Sequence, residues 1–426
     1  MPNNTIIFLG AGFSVGADIP IQSKIIDEML KPPIGTQSSV LIEPENIKFL
    51  KAFVNVGLFL LKKFTNEDIK IIETNYDTLN YINQIRELLN SSVNEDKMRW
   101  LKTLLQYDEE HILFKLVGPP YEGDHIRQII NAEYYKQLVA LKEKIRIALN
   151  QNKPNVDLED LFTIFDKSLR ENENWGDLTY LELDKLRHSL LRLFTYYFGK
   201  KLNKFCTSRT TKYNGFIDFC KTNKVGIITT NWDTVVEILF LKNEISFKAN
   251  DLQYGIPNPI KLMKLHGSMN WFKCNCCGNY QIVKNSEIAQ HLLDDNKSES
   301  CEKCKSKAIE DQVVLQPEII TPTMLKSFTD RLYKNIWSEA ANEITNADKV
   351  IFVGYSLPLA DFEIRYFLRK HIKKDVKIDV VLAECDKPLK KDIWFKPESR
   401  YKNLFPANSI QFYYEGFNSY FNQERT

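Results

Sequence analysis

The sequence predicts an α/β protein: a parallel sheet interrupted by a large helical insertion and carrying a small cysteine module. Three observations lead there. Short β-branched runs that stop at polar, glycine-bearing turns occur at the start of the chain and again in its second half, as strands do when they feed helices across a sheet. Residues 31–204 change texture, with few glycines and helical periodicity. Two Cys-x-x-Cys pairs then lie between later strand runs.

The first run, Thr5-Ile6-Ile7-Phe8-Leu9, ends at Gly10-Ala11-Gly12-Phe13-Ser14-Val15-Gly16. A strand, a turn and a helix start follow from that wording, with helical spacing over residues 19–30. Glycines at 10 and 12 allow a close backbone approach, and a helix N-terminus adds a positive dipole, so an anionic group such as a diphosphate suits the turn. The third glycine of the dinucleotide fingerprint is displaced to Gly16, so a merely tight strand-to-helix turn is the competing reading.

Composition bounds the partners. The 426 residues are 43% hydrophobic, enough for a large core and two or three domains. A net charge of +2, from 57 basic and 55 acidic side chains, provides no overall field for nucleic acid or an anionic membrane. No apolar stretch approaches the roughly 20 residues a membrane span needs, and residues 1–5 lack a signal peptide's regions, so a cytoplasmic location is expected.

In the insertion, Ile71, Ile72, Leu79, Ile82, Ile85, Leu88 and Leu89 recur at threes and fours, which makes one buried stripe. Residues 134–149 and 178–198 behave alike, and residues 118–123 form a loop between helices. Asp157, Glu159 and Asp160 suit the cap and first turn of a helix through Leu161, Phe162 and Phe165.

The later strand runs each end in chemistry. Val225 to Thr229 leads into Thr230-Asn231-Trp232-Asp233. An amide and a carboxylate two residues apart can meet one ligand together from an extended chain, or can cap the helix that follows; both readings hold at once. Ile260, Leu262 and Leu265 run into His266-Gly267-Ser268, placing an imidazole at a strand end, where it suits proton transfer or a structural role. Residues 349–353 end at Gly354-Tyr355-Ser356-Leu357, followed by an amphipathic helix over residues 361–370. Residues 378–383 end at Glu384, a position from which a carboxylate accepts bonds from a ribose diol or is simply solvated.

Of the eight cysteines, Cys274, Cys277, Cys301 and Cys304 form two Cys-x-x-Cys knuckles that favour tetrahedral zinc with no open position, hence a structural ion. Cys276 either replaces a neighbour as ligand or stays a thiol. Cys206, Cys220 and Cys385 read as small buried side chains.

In this order, Gly10-Ala11-Gly12-Phe13-Ser14, Thr230-Asn231-Trp232-Asp233, His266-Gly267, the paired knuckles and Gly354-Tyr355-Ser356 resemble the sirtuin (SIR2) family. The resemblance covers about the first thirty residues and most of the chain after the insertion. It implies a Rossmann-like parallel sheet with a small zinc-ribbon module and an NAD site. The expected division is residues 1–30 with 205–270 and 308–426 as the NAD-binding domain, 31–204 as helical insertion and 271–307 as zinc ribbon. By matching positions, Gly10, Ala11, Gly12 and Ser14 would line the diphosphate and ribose. Thr230, Asn231 and Asp233 would meet the nicotinamide half, with His266 as general base and Asn231, His266 and Asp233 as catalytic residues. Gly354, Ser356 and Glu384 would hold the adenosine half.

Two departures bear on activity. Protein deacylases of the family carry Gly-Ile-Pro-Asp-Phe-Arg, whereas this chain reads Asp18-Ile19-Pro20-Ile21-Gln22-Ser23 and lacks the phenylalanine and arginine. Their peptide-pairing segment is replaced by residues 313–324, where Pro317 and Pro322 remove backbone donors. Together with the insertion, this resembles the SIR2-like NAD-hydrolysing effectors of bacterial antiphage systems. The expected function is therefore an NAD+ hydrolase acting in antiviral defence by depleting NAD. An NAD-dependent protein deacylase or a non-catalytic nucleotide-sensing module is the alternative. The branch implies a homo-oligomer and a partner such as a HerA-like ATPase.

Overall fold

A computed structural model of the chain describes residues 4–21, 24–30, 47–65, 72, 75–77, 79–80, 82–83, 123–154, 156–249, 252–254, 259–274, 276–284, 288, 301, 304, 315–321, 331–359, 361–383 and 396–423. Glu384, Cys385, Pro322 and most of the stripe from Ile71 to Leu89 lie outside these residues; Ile72, Leu79 and Ile82 lie inside them and are buried.

The chain forms two compact units, one of residues 1–29, 157–183 and 194–426, the other of residues 30–156 and 184–193. The first holds the sheet. Its strands are β1 (Thr5–Leu9), β2 (Val225–Thr229), β3 (Phe247–Ala249), β4 (Leu252–Tyr254), β5 (Ile260–Lys264), β9 (Lys349–Val353), β10 (Lys377–Val381) and β11 (Ile410–Tyr413). They lie in the order β11-β10-β9-β1-β2-β5-β3-β4. Seven run parallel and β4 pairs antiparallel at one edge. The continuous apolar wording of β1, with all five residues buried, follows from cover on both faces of a parallel sheet. Phe8, Ile228, Met263, Phe352 and Val380 belong to one core cluster, joined by Ile336, Ala340 and Ile344 from the helix Arg331–Thr345.

β1 leads to β2 and β5 on one side, while β9, β10 and β11 extend the other. The direction of winding therefore reverses between β1 and β9, and α/β sheets bind ligands outside the carboxyl ends of strands at such a point. Register sharpens the consequence. Leu9 stands beside both Thr229 and Val353, and Val353 beside Val381, so the residues that follow, Gly10, Thr230, Gly354 and Leu382, emerge in one row.

A second, antiparallel sheet of order β7-β6-β8 comprises β6 (Gly267–Cys274), β7 (Tyr280–Ile282) and β8 (Leu315–Ile319). It carries the cysteine module. Pro317 sits in β8 opposite Phe272, an edge position where a residue without an N–H is tolerated.

The helix starting after β1 is shorter than the sequence suggests. It covers Ala11–Ser14, passes through a 3-10 turn at Val15–Ala17 and stops at Asp18, whose φ is 63°; a separate helix spans Ile25–Leu30. Pro20 explains the break, because proline disfavours helical conformation in the residue before it. The expected cap of the helix Leu158–Glu171 is present, since Asp157 accepts from the Asp160 N–H at 2.8 Å. The helix Tyr180–Thr207 begins with a Thr179/Glu182 capping box.

The second unit packs the helix Ile47–Phe64 against the helix Gly123–Gln151. Gly57 makes their close approach feasible, since a Cβ there would fall 2.3 Å from Ile145 Cγ2. Leu60, Leu61, Leu141, Ile145 and Leu149 are buried in this unit.

Candidate functional site

The row of strand ends begins with three glycines that have no room for a side chain. A Cβ on Gly10 would lie 2.6 Å from the Gly354 carbonyl oxygen, one on Gly12 2.7 Å from Gly354 Cα, and one on Gly354 2.4 Å from the Phe13 nitrogen. Gly354 also has φ +61°, the region that disfavours any other residue. Two main-chain bonds fasten the loops: Gly10 N–H donates to Val353 O and Gly12 N–H to Gly354 O, both at 2.9 Å. These two amides are thus committed to the framework, and the identity of the glycines follows from the contact of two loops. Ala11, between them, is exposed at the turn. Ser356 and Thr230 are half-buried on the same row.

Asn231 joins this row to the interior. Its Nδ2 donates to the Gly10 carbonyl at 2.9 Å and to Ser14 Oγ at 3.0 Å, and its main-chain N–H donates to Thr229 Oγ1 at 3.0 Å. Because a carbonyl only accepts, Gly10 fixes which end of the amide is nitrogen. Both Nδ2 protons are then used, and Oδ1 is the atom left to accept from a ligand hydroxyl or water.

Below it lies a buried polar cluster. Asp233 accepts from the Val235 N–H at 3.0 Å, which satisfies the first amide of the helix Val235–Lys242, and Ser14 is a further hydrogen-bond partner of its carboxyl. Lys264, 1% exposed at the end of β5, donates to the Asp233 carbonyl at 2.5 Å and to Glu237 Oε1 at 2.8 Å. Burial pushes the Asp233 carboxyl above the usual carboxylate range, opposed by Lys264 and by the Val235 and Ser14 bonds. Burial raises Glu237 as well, again with Lys264 opposing. Tyr213 is held well above an ordinary phenol by burial first and the Asp233 charge second; its hydroxyl donates to the Phe13 carbonyl at 3.0 Å.

His266 is 5% exposed in the turn between β5 and β6. That turn is pinned on several sides: Leu265 N–H donates to Thr229 O, Ile320 N–H to His266 O, Trp232 Nε1 to Ile320 O and Trp337 Nε1 to Leu265 O. The Asn231–Asp233 turn and the His266 turn are therefore braced through Trp232, to whose carbonyl the Met269 N–H also donates.

Asn231, Asp233 and His266 stand out in the sequence, whereas Lys264, Glu237 and Tyr213 join them only in the fold. A signal existed for the first two. Lys264 interrupts the apolar wording just before Leu265-His266, and Glu237 is the one acid within Val-Val-Glu-Ile-Leu-Phe-Leu. Charged residues inside buried elements need partners, and these two are each other's.

The sulfurs of Cys274, Cys277, Cys301 and Cys304 all lie within 4.8 Å of one another, with Cys274–Cys304 at 3.8 Å and Cys277–Cys301 at 3.5 Å. Tetrahedral zinc with Zn–S bonds of about 2.3 Å requires sulfurs roughly 3.8 Å apart, so the four could hold zinc. Two local turns shape the set: Gly278 N–H donates to Cys274 O and Cys304 N–H to Cys301 O. Cys276 is exposed and outside the group, which leaves Cys277 as the fourth member.

A family model described as the Sir2 family matches residues 251–360, about a quarter of the chain. No curated protein matches. Among solved structures the chain is similar to "Sir2-p53 peptide-NAD+", at 14% identity and TM-score 0.34 over 56% of this chain and 79% of that one. "The Structural basis of Sirtuin Substrate Affinity" is matched at 12% identity and TM-score 0.34, over 99% and 93% of the two chains. A Sir2 homologue mutant in complex with ADP ribose is matched at 14% identity and TM-score 0.34, over 55% and 72%. The residues matched by the family model include His266, the four cysteines and Gly354.

Proposed function

We propose that the protein is an NAD+ hydrolase that cleaves the nicotinamide–ribose bond to give nicotinamide and ADP-ribose. One observation carries this reading. The switch point of the parallel sheet, where α/β folds take nucleotides, is also where the packed Gly10, Gly12 and Gly354 loops meet Asn231 and Ser14. Ala11, Gly12 and Ser14 are assigned to the diphosphate and nicotinamide ribose, Gly12 by the close approach its missing side chain allows since its N–H is taken by Gly354 O, and Gly354, Ser356 and Glu384 are assigned to the adenosine half.

Nicotinamide is a cationic leaving group, so hydrolysis needs the C1′ centre held in place, its developing positive charge tolerated and a water admitted. Asn231 Oδ1 accepts from the ribose hydroxyl or that water. His266 takes the proton, from water or from a ribose hydroxyl. Asp233 supports the reaction through Ser14, because its carboxyl is already engaged by Val235 and Ser14. The four cysteines would hold a structural zinc, which would supply folding free energy to the β7-β6-β8 module.

The choice of hydrolysis over deacylation rests on sequence: the altered residues 18–23 and Pro317 within β8. An NAD-depleting enzyme must be restrained until needed, which favours the role of an antiviral defence effector, acting as a homo-oligomer or with an ATPase partner of the HerA-like kind. Incubation of the pure protein with NAD, with and without acylated peptide, tests the assignment. ADP-ribose formed without peptide supports it. Turnover that depends on the acyl group would instead make the protein a deacylase, and binding without turnover a sensing module.

A further inference from the structure

We propose that Lys264 is a positioning residue of this site: its ammonium group fastens the Asp233 carbonyl and, through Asp233 and Ser14, fixes the direction of the Asn231 side chain. The inference rests on the assignment of Asn231 to the ligand site.

The chain of contacts is continuous. Lys264 ends β5 beside Thr229, the last residue of β2, and donates to Asp233 O in the turn that follows β2, at 2.5 Å. The Asp233 carboxyl meets the Val235 N–H and Ser14. Ser14 Oγ in turn accepts from Asn231 Nδ2 at 3.0 Å. A hydroxyl has a single proton. Since Ser14 accepts from Asn231, its own proton is available to the Asp233 carboxyl, and the two bonds together define one orientation for the asparagine.

Lys264 does this from a costly position. Its side chain is 1% exposed, and Asp233 and Glu237 are 7% and 6% exposed, so one cation stands against two buried carboxyls. A purely structural role would be filled by one lysine and one glutamate, and replacing a buried ion pair by apolar groups is often neutral for stability. What an apolar pair lacks is the donor to the Asp233 carbonyl and the positive charge facing its carboxyl. The groups around Asp233 are Lys264 from β5, Glu237 from the helix Val235–Lys242 and Tyr213 from the 3-10 turn Thr211–Tyr213.

Lys264→Met alone leaves two carboxyls without a cation and is expected to unfold readily. The informative protein is the double variant Lys264→Met/Glu237→Gln, which removes one charge of each sign. Its melting temperature is expected near that of the wild type, while kcat for NAD cleavage falls about 100-fold, the scale of a small misplacement at a reacting centre, with KM within about threefold. A double variant that melts like the wild type and keeps its kcat overturns the proposal. So does one whose loss lies wholly in KM.

A second readout uses the protein without NAD. With asparagine labelled by 15N, the Asn231 side-chain amide is expected as one slowly exchanging pair of protons in the wild type. Exchange at least about tenfold faster is expected in the double variant, since losing even 1.4 kcal/mol of bonding has that effect. Unchanged exchange overturns the positioning role. Because this arm needs no turnover, a protein that proves not to hydrolyse NAD still reports on Lys264, and the two assignments fail separately. Should the double variant not fold, Lys264→Gln, which keeps a neutral donor for the Asp233 carbonyl, is measured in the same way. Retained slow exchange together with wild-type kcat there would show that the charge is dispensable and overturn the proposal.

Discussion

Asn231 is held from three sides, by Gly10, Ser14 and Thr229, and this decides how its replacement should behave. Asn231→Ala removes the two Nδ2 bonds, each worth about 1 kcal/mol, but leaves the main-chain bond to Thr229. The expected result is a modest fall in melting temperature and a loss of NAD cleavage of at least about 100-fold. A mutant that is unfolded, or one that cleaves NAD normally, would make the residue a turn fastener only. His266→Ala is expected to lower turnover about 100- to 10,000-fold with a small change in NAD affinity, because the glycine loops and adenosine contacts supply the binding. Calorimetric titration beside product analysis separates the two quantities; a parallel collapse of affinity would make His266 a binding residue.

The buried carboxyls give a pH prediction with opposite signs for stability and activity. Burial raises Asp233 and Glu237, so the folded protein retains protons that the unfolded chain has already released. Their contribution to stability is therefore full below the unfolded carboxylate values and declines as pH rises through the folded ones. Turnover should rise over that same window, since the ionised Asp233 carboxyl is the better acceptor for Ser14. The acid limb of kcat is expected above the ordinary carboxylate range and belongs to the pair as a unit. A limb at an ordinary carboxylate pKa, or none, would remove Asp233 from the working site.

At the scale of elements, two joints carry the architecture of the sheet-bearing unit. One is the contact of the loops after β1 and β9. Gly354→Ala combines a positive φ with a Cβ 2.4 Å from the Phe13 nitrogen, and neither atom belongs to a side chain that can swing away. Destabilisation of at least about 1–3 kcal/mol is expected in thermal or urea unfolding; a neutral substitution would mean that the loops separate at little cost. The other joint is the cysteine group in the antiparallel sheet. Purified protein should carry about one zinc per chain by metal analysis, and Cys301→Ser or a strong chelator should lower its melting temperature. The same treatment of Cys276→Ser should leave the metal content unchanged, because Cys276 stands outside the four. Protein without zinc, or a Cys276 variant that loses it, would contradict the assignment.

For the whole molecule, no helix among the described residues is long and apolar enough to cross a membrane. Among the described residues of the second unit, the helices Ile47–Phe64 and Gly123–Gln151 pack together with Gly57 against Ile145, and no part of the proposed chemistry is drawn from that unit. NAD cleavage by the isolated chain, measured over a range of concentrations by product analysis alongside light scattering, is expected to rise with assembly; a rate per chain independent of concentration and of any partner would leave restraint unexplained by oligomerisation.

Much of this was written in the chain itself. Strands end where β-branched runs meet glycine or polar turns, and alternating or continuous apolar wording reports burial locally, so β1, β2, β5, β9 and β10 and the residues just after them were legible. The Cys-x-x-Cys pairs named a metal-type site because ligand spacing is a local property. Three matters were decided only in three dimensions. Strand order, with β1 between β2 and β9, depends on contacts between residues more than 200 positions apart, such as Leu9 with Thr229 and Val353. The reason for the glycines also changed: Gly10 and Gly12 accommodate Gly354 from the neighbouring strand end, and their amides bond to Val353 O and Gly354 O respectively. Last, Lys264 and Glu237 lie 27 positions apart, and each alone reads as a charge in the wrong place. A sequence shows that a buried charge needs a partner, but only the fold brings the partner within 2.8 Å, because the free energy of pairing depends on distance in space and on the water excluded around it.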